Sequence, residues 1–182
     1  MHRARRPRPP LDLAALERLA LRYVERFATT RARLAAYLAR KIAERGWDGE
    51  APADPVALAD RFAERGYVDD RSFAETRAAA LTRRGLGARR VDQALRHAGI
   101  GEEDRQEIGD DVRESAAASA LAFARRRRIG PFARVIADRA QRERHVAAMV
   151  RAGHPLAIAR RIASMAPREG TNEEIAQMCQ DE

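Results

Sequence analysis

Apolar residues recur along this chain three and four positions apart, the spacing that lines one face of an α-helix. Leu13, Leu16, Ala20, Tyr23 or Val24, and Phe27 form a first stripe. Ala28-Thr29-Thr30 interrupts it, and Thr30 reads as the N-cap of a second helix lined by Leu34, Tyr37, Leu38 and Ile42. That helix ends near Gly46. The stretch "DGEAPADP" (48–55) reads as a loop that closes on Asp54-Pro55, a helix start with proline at the first position. Leu58, Ala59, Phe62 and Ala63 then face inward on a short third helix that Gly66 stops.

The same alternation continues through six further segments. Phe73, Ala74, Arg77, Ala80 and Leu81 mark a fourth helix, and Gly85-Leu86-Gly87 turns the chain. Val91, Ala94, Leu95 and Ala98 mark a fifth, stopped at Gly99. A sixth runs from Glu102 to about Val112 with Ile108 inward, and an alanine-rich seventh has Ala117, Ala120, Leu121 and Ala124 inward. Ile129-Gly130-Pro131 breaks the pattern. A longer eighth helix is predicted to carry Val135, Ile136, Val146, Met149 and Val150. After Gly153-His154-Pro155, Ile158, Ile162 and Met165 line a ninth.

Three segments align without gaps: "TRARLAAYL" (30–38), "GARRVDQAL" (87–95) and "PLAIARRIA" (155–163). Leu34, Val91 and Ala159 coincide, as do Leu38, Leu95 and Ala163. Such self-similarity points to three repeated units. The expected division is a disordered, arginine- and proline-rich basic arm over 1–10, units over 11–68, 69–112 and 113–166, and a polar flexible tail over 167–182.

Composition sharpens this to an all-α expectation. The chain has 39 alanines and 13 leucines but only 9 aromatic residues, and Val, Ile and Thr are few. Its core must therefore be thin and alanine-packed. The formal charge is +8, and 34 of the 35 basic residues are arginine. Guanidinium groups pair bidentately with carboxylates and phosphates, so a polyanionic partner is expected, nucleic acid or an acidic protein surface. Cys179 stands alone, and His2, His97, His145 and His154 show no metal-ligand spacing, so no cofactor or metal is expected. No apolar run approaches the ~20 residues of a membrane span. Asp12, Glu17 and Arg18 interrupt any signal-like segment after "MHRARRPRPP". The expected setting is soluble, reducing and cytoplasmic.

Several positions invite a chemical reading. Asp69-Asp70 could form an acid/base or metal pair. Adjacent carboxylates at a helix start diverge, however, and the capping explanation is favoured, with Ser72 and Glu75 fitting a capping box. Gly85-Leu86-Gly87 resembles a fragment of a phosphate loop but lacks a preceding strand, so a helix C-cap followed by an N-cap is favoured. Tyr67 and Trp47 each follow a helix-ending glycine, where a fold-back contact is expected over base stacking. Arg125 to Arg128 form the densest charge run, set at a helix end. No serine or histidine stands in a nucleophile context, and nothing argues for an enzyme.

The stretch Gly66-Tyr67-Val68-Asp69-Asp70, then Phe73-Ala74, then "RRGLGARRVDQALRHAGI" ending at Gly99-Ile100, resembles the signature of the RecX family, bacterial regulators of the RecA recombinase. The resemblance covers roughly 11–166. It implies tandem three-helix repeats in an elongated, curved array. It also implies a non-catalytic role: binding along the groove of a RecA–DNA filament, limiting its growth, and suppressing ATP hydrolysis, strand exchange and the coprotease activity linked to the SOS response. A monomer that binds single- or double-stranded DNA only weakly, with no membrane partner, is expected on this basis.

The residues expected to contact partner or nucleic acid are Arg83, Arg84, Arg89, Arg90, Arg125, Arg126, Arg127, Arg128, Arg160 and Arg161. Gly66, Tyr67, Asp69, Asp70, Phe73, Gly85, Gly87, Gly99 and Ile100 are assigned to architecture. The competing expectation is a general DNA- or RNA-binding helical module that uses a helix-turn-helix-like pair (72–98) and the basic arm.

Overall fold

Short polar side chains set where helices begin in this protein. Asp12 accepts the amide of Ala15 at 2.6 Å and opens α1, Leu13–Val24. Thr30 accepts that of Arg33 at 3.2 Å and opens α2, Arg31–Arg45. Asp54 accepts the amides of Val56 and Ala57 and opens α3, Pro55–Glu64. Asp69 accepts the amide of Ser72 at 2.9 Å at the head of α4, Asp70–Arg83. Each bond satisfies an amide that the helix itself leaves orphaned. The computed structural model describes residues 9–167. Its remaining helices are α5 (Ala88–His97), α6 (Glu102–Glu114), α7 (Ala116–Arg127), α8 (Arg139–Arg151) and α9 (Leu156–Ser164), with a 3-10 turn at Gly130–Phe132. Among the described residues there is no strand, and no helix is long and apolar enough to cross a membrane. The protein is all-α. The basic arm and the polar tail expected at the two ends fall, apart from Pro9, Pro10 and Pro167, outside the described residues.

Helix ends share one device. After α3, α4, α7 and α8 an amide reaches back five residues, Tyr67 to Phe62, Leu86 to Leu81, Ile129 to Ala124 and His154 to Met149, at 2.9–3.2 Å. The residue before each donor is left-handed: Gly66, Gly85, Arg128 and Gly153. This is the Schellman closure, and glycine fills three of the four positions because it alone adopts that conformation without a Cβ penalty.

The described chain divides into two compact units, 9–73 with 98–100, and 74–97 with 101–167. In the first, α2 packs on both α1 and α3. Leu11, Leu16, Leu34, Leu38 and Leu58 are its most buried large side chains, joined by Ala20, Ala59 and Phe62. Leu11 is fully buried there and makes a single parallel bridge with Trp47. The Trp47 indole, whose ring packs on this core, donates to the Ala51 carbonyl. The Thr30 hydroxyl, besides capping α2, donates to the Ala98 carbonyl at 2.6 Å and so fixes the 98–100 segment. In the second unit α8 packs on α9, α7 on α9, and α5 on α6. Its core around Met149, Ile129 and Ile162 takes four alanines, Ala120, Ala124, Ala159 and Ala163, whose small side chains let the helices approach closely. The two sets of positions matched between the three aligned segments are buried in all three.

The structure departs from the periodicity in four places. α8 starts at Arg139, so Val135 and Ile136 precede it and are 70% and 74% exposed. A capping box between Asp138 and Gln141 defines that start and overrides the apolar pair. α1 ends at Val24, which leaves Phe27 beyond the helix and half exposed. α4 turns Ala74, Ala78 and Leu81 inward and Arg77 outward. The Ser72–Glu75 capping box is replaced by the bond from Ser72 to Asp69.

Candidate partner-binding surface

The turn at 85–87 anchors the cationic part of the second unit. A Cβ on Gly85 would lie 2.7 Å from the Phe123 amide nitrogen, and one on Gly87 would lie 2.4 Å from the Gly153 carbonyl oxygen. Backbone therefore meets backbone, which only glycine permits. The Gly87 amide donates to the Ala152 carbonyl at 3.0 Å. That amide is consumed within the fold, so the Gly-x-Gly here is a packing joint, and the phosphate-loop resemblance fails at its central donor. His154 completes the joint: its Nε2 lies 3.0 Å from the Gly85 carbonyl and its ring packs against Phe123. Burial pushes the His154 imidazole below its ordinary value, opposed only by that bond to Gly85. Its Nδ1 has no hydrogen-bond partner among the described residues.

Fixed by this joint, the outer face of α5 and the end of α8 form a groove of about 650 Å³ lined by Arg89, Arg90, Asp92, Gln93, Arg96, His97 and Arg151. Four guanidinium groups face one carboxylate. That carboxylate is already held twice, by Arg96 at 3.0 Å and by the buried Arg105 at 2.6 Å. Arg105 also pairs with Glu102. Arg90 is steadied by Gln93 at 2.7 Å. Arg89 donates to the Val150 carbonyl at 2.6 Å, closing the last turn of α8. The groove therefore presents an excess of positive charge on short tethers, the arrangement that receives carboxylate or phosphate.

The other expected contact residues fall into separate places. Arg83 and Arg84 are exposed at the end of α4, and Arg126 donates to the Arg84 carbonyl at 3.0 Å, which brings the arginine run of α7 to that end. Arg125 to Arg128 are all exposed, with Arg127 lying 5.9 Å from the Phe123 ring centre. Arg160 is exposed and Arg161 half-buried on α9, and neither lines the groove. Sequence reasoning missed Arg96, His97 and Arg151. Arg96 stands seven positions after Arg89 on one helical face, a legible signal, whereas Arg151 reaches the groove through tertiary packing alone.

The motif residues 66–73 lie in the first unit. Gly66 is left-handed and Tyr67 folds back on Phe62, ring centres 5.4 Å apart. Asp69 caps its own helix, and Asp70 reaches α2, bonding the amide of Arg31. Phe73 lies under the Arg33 guanidinium. Gly99, also left-handed, sits where a Cβ would meet that of Ala32, and Ile100 is buried. Among the described residues, no cluster of three or more His, Cys, Asp or Glu is placed to hold a metal ion.

Fold and surface together define an all-α protein that carries an arginine-lined groove. No protein-family model matches the chain. It is, however, 32% identical over 160 residues to the regulatory protein RecX of Myxococcus xanthus (strain DK1622), across 84% of this chain and 86% of that one. It is 34% identical over 164 residues to the regulatory protein RecX of Mycobacterium sp. (strain KMS), across 88% and 79%. It is also 34% identical over 139 residues to that of Halorhodospira halophila (strain DSM 244 / SL1), across 76% and 80%. The chain belongs to the RecX family of regulatory proteins.

Proposed function

We propose that this protein is a non-catalytic, cytoplasmic, monomeric regulator that binds the RecA–DNA filament. There it limits filament extension and the ATPase, strand-exchange and coprotease activities that serve DNA repair, recombination and the SOS response. In the same proposal the chain is read as three helical repeats, 11–68, 69–112 and 113–166. The observation that carries it is the arginine-lined groove of α5 and α8 in a member of this family. Arginines there and at the ends of α4 and α7 meet acidic protein surface or exposed phosphate and compete with subunit addition or with the second DNA strand. Encounter driven by such charge weakens steeply with salt.

The test reverses charge at arginines whose side chains bond no backbone carbonyl. Arg83, Arg84, Arg90 and Arg96 are replaced by glutamate, Arg89 is kept because it closes α8, and helicity is confirmed. Recombinase ATPase on single-stranded DNA is then followed with rising protein. Loss of inhibition supports the proposal, and undiminished inhibition removes these arginines from the mechanism. Tight, sequence-selective binding to duplex DNA without recombinase would favour the general nucleic-acid module instead.

A further inference from the structure

Within the first unit, α1 and α2 present a run of aromatic rings interleaved with cations. Tyr23 stacks on Tyr37 with ring centres 4.2 Å apart and planes 20° from parallel. Phe27 continues the run, 5.3 Å from Tyr23. The Arg26 guanidinium lies 5.7 Å from the Phe27 ring centre, and Arg40 and Lys41 lie 5.6 and 5.8 Å from that of Tyr37. Arg33, one turn before Tyr37 on α2, lies 5.2 Å over Phe73. Among the described residues Arg26 and Arg33 have no ion-pair partner, while Glu44 pairs with both Arg40 and Lys41.

Core packing accounts for part of this run. Tyr23 and Tyr37 rest against the buried cluster. It does not account for Phe27, which stands past the end of α1, is held by its amide to the Tyr23 carbonyl at 3.0 Å, and is 51% exposed. A half-exposed ring beside a stacked pair, with the Arg26 guanidinium against it and Arg40 and Lys41 against the far ring of the pair, suits a ligand that has both flat faces and negative charge. Single-stranded nucleic acid has both. Its bases stack on aromatic rings and its phosphates meet the cations. An acidic peptide would satisfy the cations and leave the ring uncovered, and a duplex keeps its base faces buried in its own stack.

We propose that this face of α1 and α2 is a stacking site for single-stranded nucleic acid. One base lies on the exposed face of Phe27, whose ring is tilted 49° from that of Tyr23, while flanking phosphates meet Arg26, Arg33 and Arg40. Glu44 competes with the strand for Arg40 and Lys41, which keeps the attachment reversible. The inference rests on the filament-binding proposal only for the place where such a strand is met, since a recombinase filament carries one.

Fluorescence anisotropy with a labelled oligo-dT and an abasic strand of equal length tests it, without recombinase. The wild-type protein is expected to bind oligo-dT about tenfold tighter than the abasic strand. Phe27→Ala removes that preference and leaves the slope of log affinity against log salt unchanged. Arg26→Gln with Arg40→Gln keeps the preference and flattens the slope by about 0.7 for each phosphate that is no longer neutralised. Tyr37→Phe retains the ring and is expected to bind as the wild type does, and circular dichroism verifies each fold. Equal affinity of the wild type for the two strands, or a preference that survives Phe27→Ala, overturns the stacking site. The groove substitutions leave this face intact, so loss of filament inhibition there and loss of base preference here are separate outcomes.

Discussion

The Asp70 carboxylate accepts the backbone amide of Arg31 at 2.8 Å through Oδ1 and the side-chain Nε of the same residue at 3.0 Å through Oδ2. One carboxylate thus serves the first turn of a helix that begins 39 residues earlier. Its neighbour Asp69 caps its own helix. The two adjacent aspartates divide the work of starting two helices, and this gives the pair a structural reason to be acidic at both positions.

Replacing Asp70 separates the two bonds. Asp70→Ala leaves the Arg31 amide without its acceptor and should lower stability by about 0.5–2 kcal/mol, the usual range for a lost cap. Asp70→Asn keeps an acceptor, loses the charge, and should lie between that variant and the wild type. Urea denaturation followed by circular dichroism measures both. Equal stability of Asp70→Ala and the wild type would show that the bond to Arg31 contributes nothing.

The glycines of the motif differ in why they are glycine. Nothing lies within 4 Å of a Cβ on Gly66, so Gly66→Ala should lose only the cost of left-handed backbone, about 1–2 kcal/mol. A Cβ on Gly87 would collide with the backbone of Gly153, and neither partner is the end of a flexible side chain. Gly87 is not left-handed, so the cost of Gly87→Ala is that of forced overpacking alone, about 1–3 kcal/mol, and with rigid backbone on both sides it is expected at the upper end and above that of Gly66→Ala. Thermal unfolding of the two variants in parallel decides the order.

Arg128 is the one non-glycine residue with left-handed backbone among the described residues, and it sits at a Schellman closure. Arg128→Gly relieves that strain and should stabilise the protein by about 0.5–1 kcal/mol once the added freedom of the unfolded chain is subtracted. A melting temperature that rises while inhibition of the recombinase is unchanged would also show that this arginine does not touch the partner.

His154 makes stability depend on pH in a defined direction. Burial holds its folded value below the ordinary 6.5, so the unfolded chain binds the proton more readily. Stability is complete above 6.5 and declines as pH falls below it toward the folded value. Chemical denaturation at a series of pH values from about 7.5 to 5 measures the decline. His154→Gln, which keeps a donor for the Gly85 carbonyl, should flatten it. A wild-type curve without slope in that window would contradict a neutral buried imidazole.

Much of the local architecture was legible in the chain itself. Thr30, Asp54-Pro55 and the glycines at 66, 85 and 99 announce starts and stops because capping and left-handed closure are chemistry within a few residues. The errors have the same origin. Val135 and Ile136 continued an apolar period, but the Asp138–Gln141 capping box set the start of α8 after them. Phe27 fitted the stripe of α1 although that helix had already ended.

The sequence alone determined that the protein is helical, where most helices begin and end, and that it carries an excess of arginine, because each of these follows from composition or from neighbours within about two turns. Tertiary structure decided which carboxylate serves which helix, that Arg151 joins Arg89, Arg90 and Arg96, and that Tyr23, Tyr37 and Phe27 form one aromatic run. A periodic pattern names the face that a helix buries but not the partner it meets. Those relationships depend on which distant segments pack together, and that is fixed only when the chain closes on itself.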